Sequence, residues 1–165
     1  MNEQLKEVFE KQQKKKSGED NAYFEETLQV ISFMVGSEEF AVPILNVKEI
    51  IKPMEYTRVP GAPNYVVGVF NLRGGVFPLI NLRLKFGLPS IKQDQDTRYL
   101  VVMHQDENVG LIIDKLNEAV KINQNDIDPV PETIDGSESF MQGIGKQEDR
   151  LITILSLENL LKRTF

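Results

Sequence analysis

From Thr27 onward, short apolar runs alternate with polar turn signals, and within most runs the apolar positions recur every second residue. The pattern is clearest over Asn64–Leu84, NYVVGVFNLRGGVFPLINLRL. Val66, Val67, Val69 and Phe70 form one apolar run, and Val76, Phe77, Leu79 and Ile80 form the next. Between them lies Asn71-Leu72-Arg73-Gly74-Gly75. Adjacent glycines reach positive φ without steric cost, so the stretch predicts two paired strands joined by a tight turn. Arg73 is the charge between the two runs, either carried into solvent by the turn or presented to a partner.

The same reasoning extends along the chain. Leu28–Val35 reads as a strand, Gly36-Ser37-Glu38-Glu39 as a turn, and Phe40-Ala41-Val42 as the start of a second strand that Pro43 ends. Ile44, Val47, Ile50 and Ile51 fall at helical spacing, so one or two helical turns are expected there, stopped by Pro53. Thr57–Pro63 is a turn-rich connector. Asn81–Phe86 predicts a short helical turn ended by Gly87 and Pro89. Further strands are expected over Arg98–His104, Val109–Asp114 and Leu116–Ile122. Asn123–Glu132 is polar, and Asp135–Glu138 reads as a loop. A last hairpin joins Phe140–Lys146 to Leu151–Leu155 around Glu148-Asp149, and a short helix carries Leu157, Leu160 and Leu161. About nine or ten short strands with turn signals every 8–12 residues or so indicate an all-β barrel or sandwich. The strand units fall into two sets, as two small barrels would, without a clean internal repeat. Residues 1–24 differ: Leu5, Val8 and Phe9 suit one short amphipathic helix, and Lys11–Asp20 is linker-like.

Composition narrows the class. The 165 residues suit one domain or two small, closely associated ones, with enough chain for a sizeable core. The net charge of −6 does not favour nucleic acid. The absence of cysteine excludes disulfides, thiolate metal ligands and a thiol nucleophile. The charged N-terminus lacks a signal-peptide pattern, and no apolar run approaches the roughly 18 residues that span a bilayer. A soluble intracellular protein is expected.

Candidate chemistry is sparse. His104 is the only histidine, so a zinc site or a histidine-activated nucleophile lacks components. Asp126 and Asp128, on one side of an extended segment with Glu132 nearby, could make a crude calcium or acid–base site, although their spacing is not that of an EF-hand loop and Asp128-Pro129 suits a simple turn. A small acidic β-barrel that binds a ligand or metal, or acts as an enzyme, is therefore one alternative. The residues favour a protein that displays grooves and edges to partners. In that reading Glu49, on the expected helix, is placed to pair with Arg73.

The segments FxVGSEEFAVPILNVKEI (33–50), VPGAPNYVVGVFNLRGGVFPLINLRLKFG (59–87), VGLIIDKL (109–116), DIDPVPE (126–132) and GIGKQEDRLITILSLENLL (143–161), in this order and spacing, resemble the CheW family of bacterial chemotaxis coupling proteins. The resemblance covers about residues 27–162. It implies two intertwined five-stranded SH3-like barrels, roughly 28–90 and 96–155, within a domain over 25–165 that ends in a helix. It implies a cytoplasmic scaffold without catalysis, cofactor or metal. The implied partners are the regulatory domain of the histidine kinase CheA and the cytoplasmic tip of methyl-accepting chemoreceptors, with the membrane reached only through those receptors. By the same resemblance, Val47, Glu49 and Arg73 fall at the receptor-contacting surface and Gly74 near kinase contacts. Val109, Asp114, Leu116 and Ala119 would line the groove between the barrels. The related regulatory domain of the kinase itself, cut from a longer chain, is the third alternative.

Overall fold

The computed structural model of the protein describes residues 26–130 and 140–161. The helix and linker expected within residues 1–24, the loop at 135–138 and Glu132 lie outside the described residues. The strands are β1 (Thr27–Val35), β2 (Glu38–Pro43), β3 (Val47–Ile51), β4 (Val66–Leu72), β5 (Gly75–Asn81) and β6 (Arg98–His104). They continue with β7 (Glu107–Ile113), β8 (Lys115–Asn123), β9 (Ile127–Pro129), β10 (Met141–Gln147) and β11 (Arg150–Leu155). Among the described residues two short α-helices accompany them, α1 (Leu82–Lys85) and α2 (Leu157–Leu161).

The strands form two sheets, ordered β8-β1-β2-β11-β10-β9 and β3-β6-β7-β5-β4. Pairing is antiparallel except for β2 with β11 and β5 with β7. The first sheet therefore has six strands where five were expected, and in neither sheet do the outer strands form a paired ladder with each other. The backbones at the edges of the second sheet are instead joined at one point. Thr57, just beyond β3, exchanges two backbone hydrogen bonds of 2.8 Å with Val69 of β4. The first sheet takes β1 and β2 from early in the chain and β8–β11 from late in it, while β3–β7 build the second. The two barrels expected at roughly 28–90 and 96–155 thus do not coincide with the two sheets.

Alternation of side chains along a strand explains the core. Tyr99 and Val101 of β6 point into the second sheet's own core with Phe70 and Leu79, whereas Leu100 and Val102 join the cluster shared by both sheets. In β2, Ala41 packs within the first sheet beside Val30, Val120 and Ile152, while Phe40 and Val42 face the shared cluster. Strands buried on both faces read as continuous apolar runs, and RYLVVMH is one.

Two local expectations are corrected. The stretch 44–51 is not helical beyond one 3₁₀ turn at Ile44–Asn46; Val47–Ile51 is a strand paired with β6. A register shift between Val47 and Glu49 inserts one extra residue, so Val47 and Ile50 both pack on the shared cluster although three positions apart. That bulge imitates helical spacing. The β4–β5 turn is also tighter than the five residues suggested. Leu72 and Gly75 pair as strand residues, leaving Arg73 and Gly74, both at positive φ (53° and 85°), as the turn. This is the twist-matched two-residue hairpin geometry.

Candidate partner-binding surface

At the hairpin tip, Arg73 reaches across the mouth of the second sheet to Glu49 on β3. Its Nη2 donates to Glu49 Oε1 at 2.7 Å and its Nε donates to Oε2 at 3.3 Å. The two residues stand on β3 and the β4 hairpin, the two outer strands of this sheet, so the pair and the Thr57 bridge hold its edges together. The pairing expected from sequence is present, with Glu49 on a strand rather than a helix. Hydrogen bonding from Arg73 holds the Glu49 carboxyl below the usual carboxylate range. The Arg73 side chain nevertheless remains 76% exposed and so is available to a partner. Gly74 donates its N–H to Asn71 Oδ1 within the turn and stands exposed beside Arg73. Val47 is half-buried against the shared core.

A second group lies where the chain passes from β7 in one sheet to β8 in the other. Asp114 occupies that crossing. Its carboxylate accepts Arg83 Nε (3.0 Å) and Nη2 (2.7 Å) from α1, and the Gly36 N–H (2.7 Å) from the β1–β2 turn. Its own N–H donates to Met34 O at 3.0 Å. The Arg83 guanidinium is raised above its ordinary pKa by the bonds it donates to Asp114. With both side chains under one-fifth exposed, this is a structural clamp between the sheets. Val109 is buried in the shared core, so it shapes the surface from beneath rather than presenting itself. Leu116 is half-buried against the same cluster and Ala119 is exposed.

A third arrangement was not visible in the sequence. Glu39 Oε2 accepts Arg150 Nη2 at 2.6 Å and Asn117 Nδ2 at 2.7 Å, Glu39 Oε1 accepts Arg150 Nε at 3.1 Å, and Arg150 Nη1 donates to Glu118 Oε1 at 2.7 Å. Burial pushes the Glu39 carboxyl up, but hydrogen bonds from Arg150, Ser32 and Asn117 outweigh it and leave its pKa below the usual value. Arg150 and Glu39 stand 111 positions apart, a separation at which single-sequence patterns carry no signal.

The acidic alternative finds little support. Asp126 ends a 3₁₀ turn rather than continuing an extended segment, and the Asp128 carboxylate is paired with Lys146 at 2.8 Å. Among the described residues no group of three or more potential ligands is placed to hold a metal ion. His104 lines a shallow cleft with Pro43, Asn46, Gln142 and Glu158.

Comparison with known proteins gives a consistent answer. A family model described as the CheW-like domain matches residues 29–165. The chain is 58% identical over its full length to the chemotaxis protein CheW of Helicobacter pylori, itself covered completely. It is 35% identical to the chemotaxis protein CheW of Bacillus subtilis, over 82% of this chain and 87% of that one. The crystal structure of a scaffolding protein, TtCheW of Thermoanaerobacter tengcongensis, superposes with a TM-score of 0.77 at 30% identity, covering 83% of this chain and 94% of that one.

Proposed function

The chain belongs to the CheW-like family, and from that membership we propose a non-catalytic chemotaxis scaffold that couples methyl-accepting chemoreceptors to the histidine kinase CheA. The observation that carries this reading is the full-length match, at 58% identity, to a chemotaxis protein. The scaffold binds the regulatory domain of the kinase through the second sheet near Gly74. It binds the helical hairpin tip of a receptor through Val47, Glu49 and Arg73 and the groove edged by Leu116 and Ala119. Burial of apolar surface supplies affinity at about 25 cal/mol per Å², less the ordering costs of association. Coupling then follows from holding both partners at once. The protein works in the cytoplasm and meets the membrane only through receptors; among the described residues no helix is long and apolar enough to cross one.

Size-exclusion chromatography with each partner tests this. The wild type should co-elute with the kinase regulatory domain and with the receptor tip at micromolar concentration. Arg73→Ala should retain the kinase domain and lose the receptor tip while its melting temperature hardly changes, because the side chain is largely in solvent. A wild type that co-elutes with neither partner overturns the scaffold reading. A variant that binds the receptor tip normally removes Arg73 from the receptor surface.

A further inference from the structure

Leu116 and Ala119 are three positions apart on one strand, and a regular strand would point them to opposite sheet faces. Here they share a face. Leu116 pairs with Phe33 and Ala119 pairs with Ile31, two residues apart on β1, so Asn117 and Glu118 together stand opposite Ser32 alone. The extra residue is a β-bulge, a device that re-aims side chains. C-terminal to it, Val120 and Ile122 return to the first sheet's own core, whereas Leu116 packs on the shared cluster. The bulge thus lets a single strand serve one core with its second half and the junction between the sheets with its first.

Both bulge residues are held by the same fork. Asn117 donates to Glu39 Oε2, Glu118 accepts from Arg150 Nη1, and Arg150 grips Glu39 through Nε and Nη2. Ser32 is fully buried, and its hydroxyl contributes a hydrogen bond to Glu39 and receives the Glu118 N–H at 3.4 Å. Arg150 therefore ties β11 and β2 to the bulge in β8 across the sheet. Its planar fork supplies three directed donors, which a lysine cannot reproduce.

We propose that Arg150 is a positioning residue for the receptor-binding groove: it contacts no partner, but by holding the Asn117–Glu118 bulge it sets Leu116 and Ala119 on one face. This rests on the reading of that face as the receptor surface. The test measures affinity for the receptor tip and, separately, for the kinase regulatory domain. The variants are Ala119→Glu, which places a charge on the face, Arg150→Gln, and their combination. Asn117→Ala is added as a milder release of the bulge that leaves the Arg150–Glu39 pair intact. Arg150→Gln should weaken the receptor tip by roughly tenfold and leave the kinase domain unaffected, a selectivity that general destabilisation does not produce. Asn117→Ala should shift affinity in the same direction by less. The double variant should fall short of the product of its single effects, because both act on one face. If Ala119→Glu weakens the receptor tip while Arg150→Gln and Asn117→Ala leave it unchanged, the positioning role is overturned and the surface stands. If Ala119→Glu also leaves it unchanged, the face is not a receptor surface, and the proposal falls with that reading.

Discussion

Asp114 stands between two sheets and answers to both. Its carboxylate takes hydrogen bonds from Arg83 in α1, which follows the second sheet's β5, and from the Gly36 N–H in a turn of the first sheet. Removing one partner from such a pair costs more than the pair itself contributes, because the guanidinium then keeps only the Pro89 carbonyl and the Gly36 N–H loses its acceptor in a poorly solvated place. Asp114→Ala should therefore lower the unfolding free energy by about 1–3 kcal/mol in a urea titration. Asp114→Asn should lose less, since an amide oxygen still accepts from Gly36. An alanine variant as stable as the wild type would show that the carboxylate bears no structural role and would return it to the groove as a contact. Nothing near Asp114 in the sequence announces this, for Arg83 lies 31 positions away. The Arg73–Glu49 pair could be anticipated because Arg73 is the one charge in an otherwise apolar stretch and Glu49 lies on the element expected to pack over that hairpin.

At the scale of elements, the second sheet is closed by little: one two-bond bridge and one exposed ion pair. The bridge depends on Gly68. A Cβ there would stand 2.2 Å from Thr57 O and 2.8 Å from Thr57 C, backbone atoms that cannot move aside without breaking the bonds to Val69. Gly68→Ala should cost about 2–4 kcal/mol, from overpacking and from the two lost hydrogen bonds. It should also speed amide exchange at Val69 more than at Val120, in the other sheet. Equal exchange at both sites with unchanged stability would mean that the edges are held elsewhere. Most strands were legible because their alternation is strong, as in β1 and the β4–β5 hairpin. The failure was at β3, where a bulge put Val47 and Ile50 on one face and so counterfeited a helix. A bulge is stabilised by residues distant in sequence, so a local pattern cannot distinguish it from a turn of helix.

The whole molecule depends on a core that neither sheet owns. Among the described residues, the shared cluster draws Phe33, Val35, Phe40 and Val42 from the first sheet and Val66, Ile80, Leu100, Val102 and Leu111 from the second, with Leu157 and Leu160 of α2 at its end. The second sheet keeps Phe70, Leu79, Tyr99 and Val101 as buried residues of its own, with Ile51, Val67, Leu72, Phe77 and Ile112 partly buried against them. Burying such side chains is worth about 1.5–3 kcal/mol each. Ordering the backbone costs roughly 1–2 kcal/mol for every residue fixed. Five strands cannot be held on four buried side chains and five partly buried ones at that exchange, so the second sheet should not fold without the first. The resemblance to a family anticipated two intertwined units, but alternation alone did not show that β6 serves its own sheet with one face and the joint with the other. The consequence is a single cooperative unfolding step. In native-state hydrogen exchange, the most protected amides of Leu100 in the second sheet and Ile152 in the first should open with the same free energy and the same denaturant slope. A fragment spanning 26–113, which contains every strand of the second sheet and lacks β8–β11, should show no cooperative melt. Separate opening energies for the two amides, or a folded fragment, would mean that the sheets are independent units. The scaffold would then join its partners through a flexible joint instead of a rigid one.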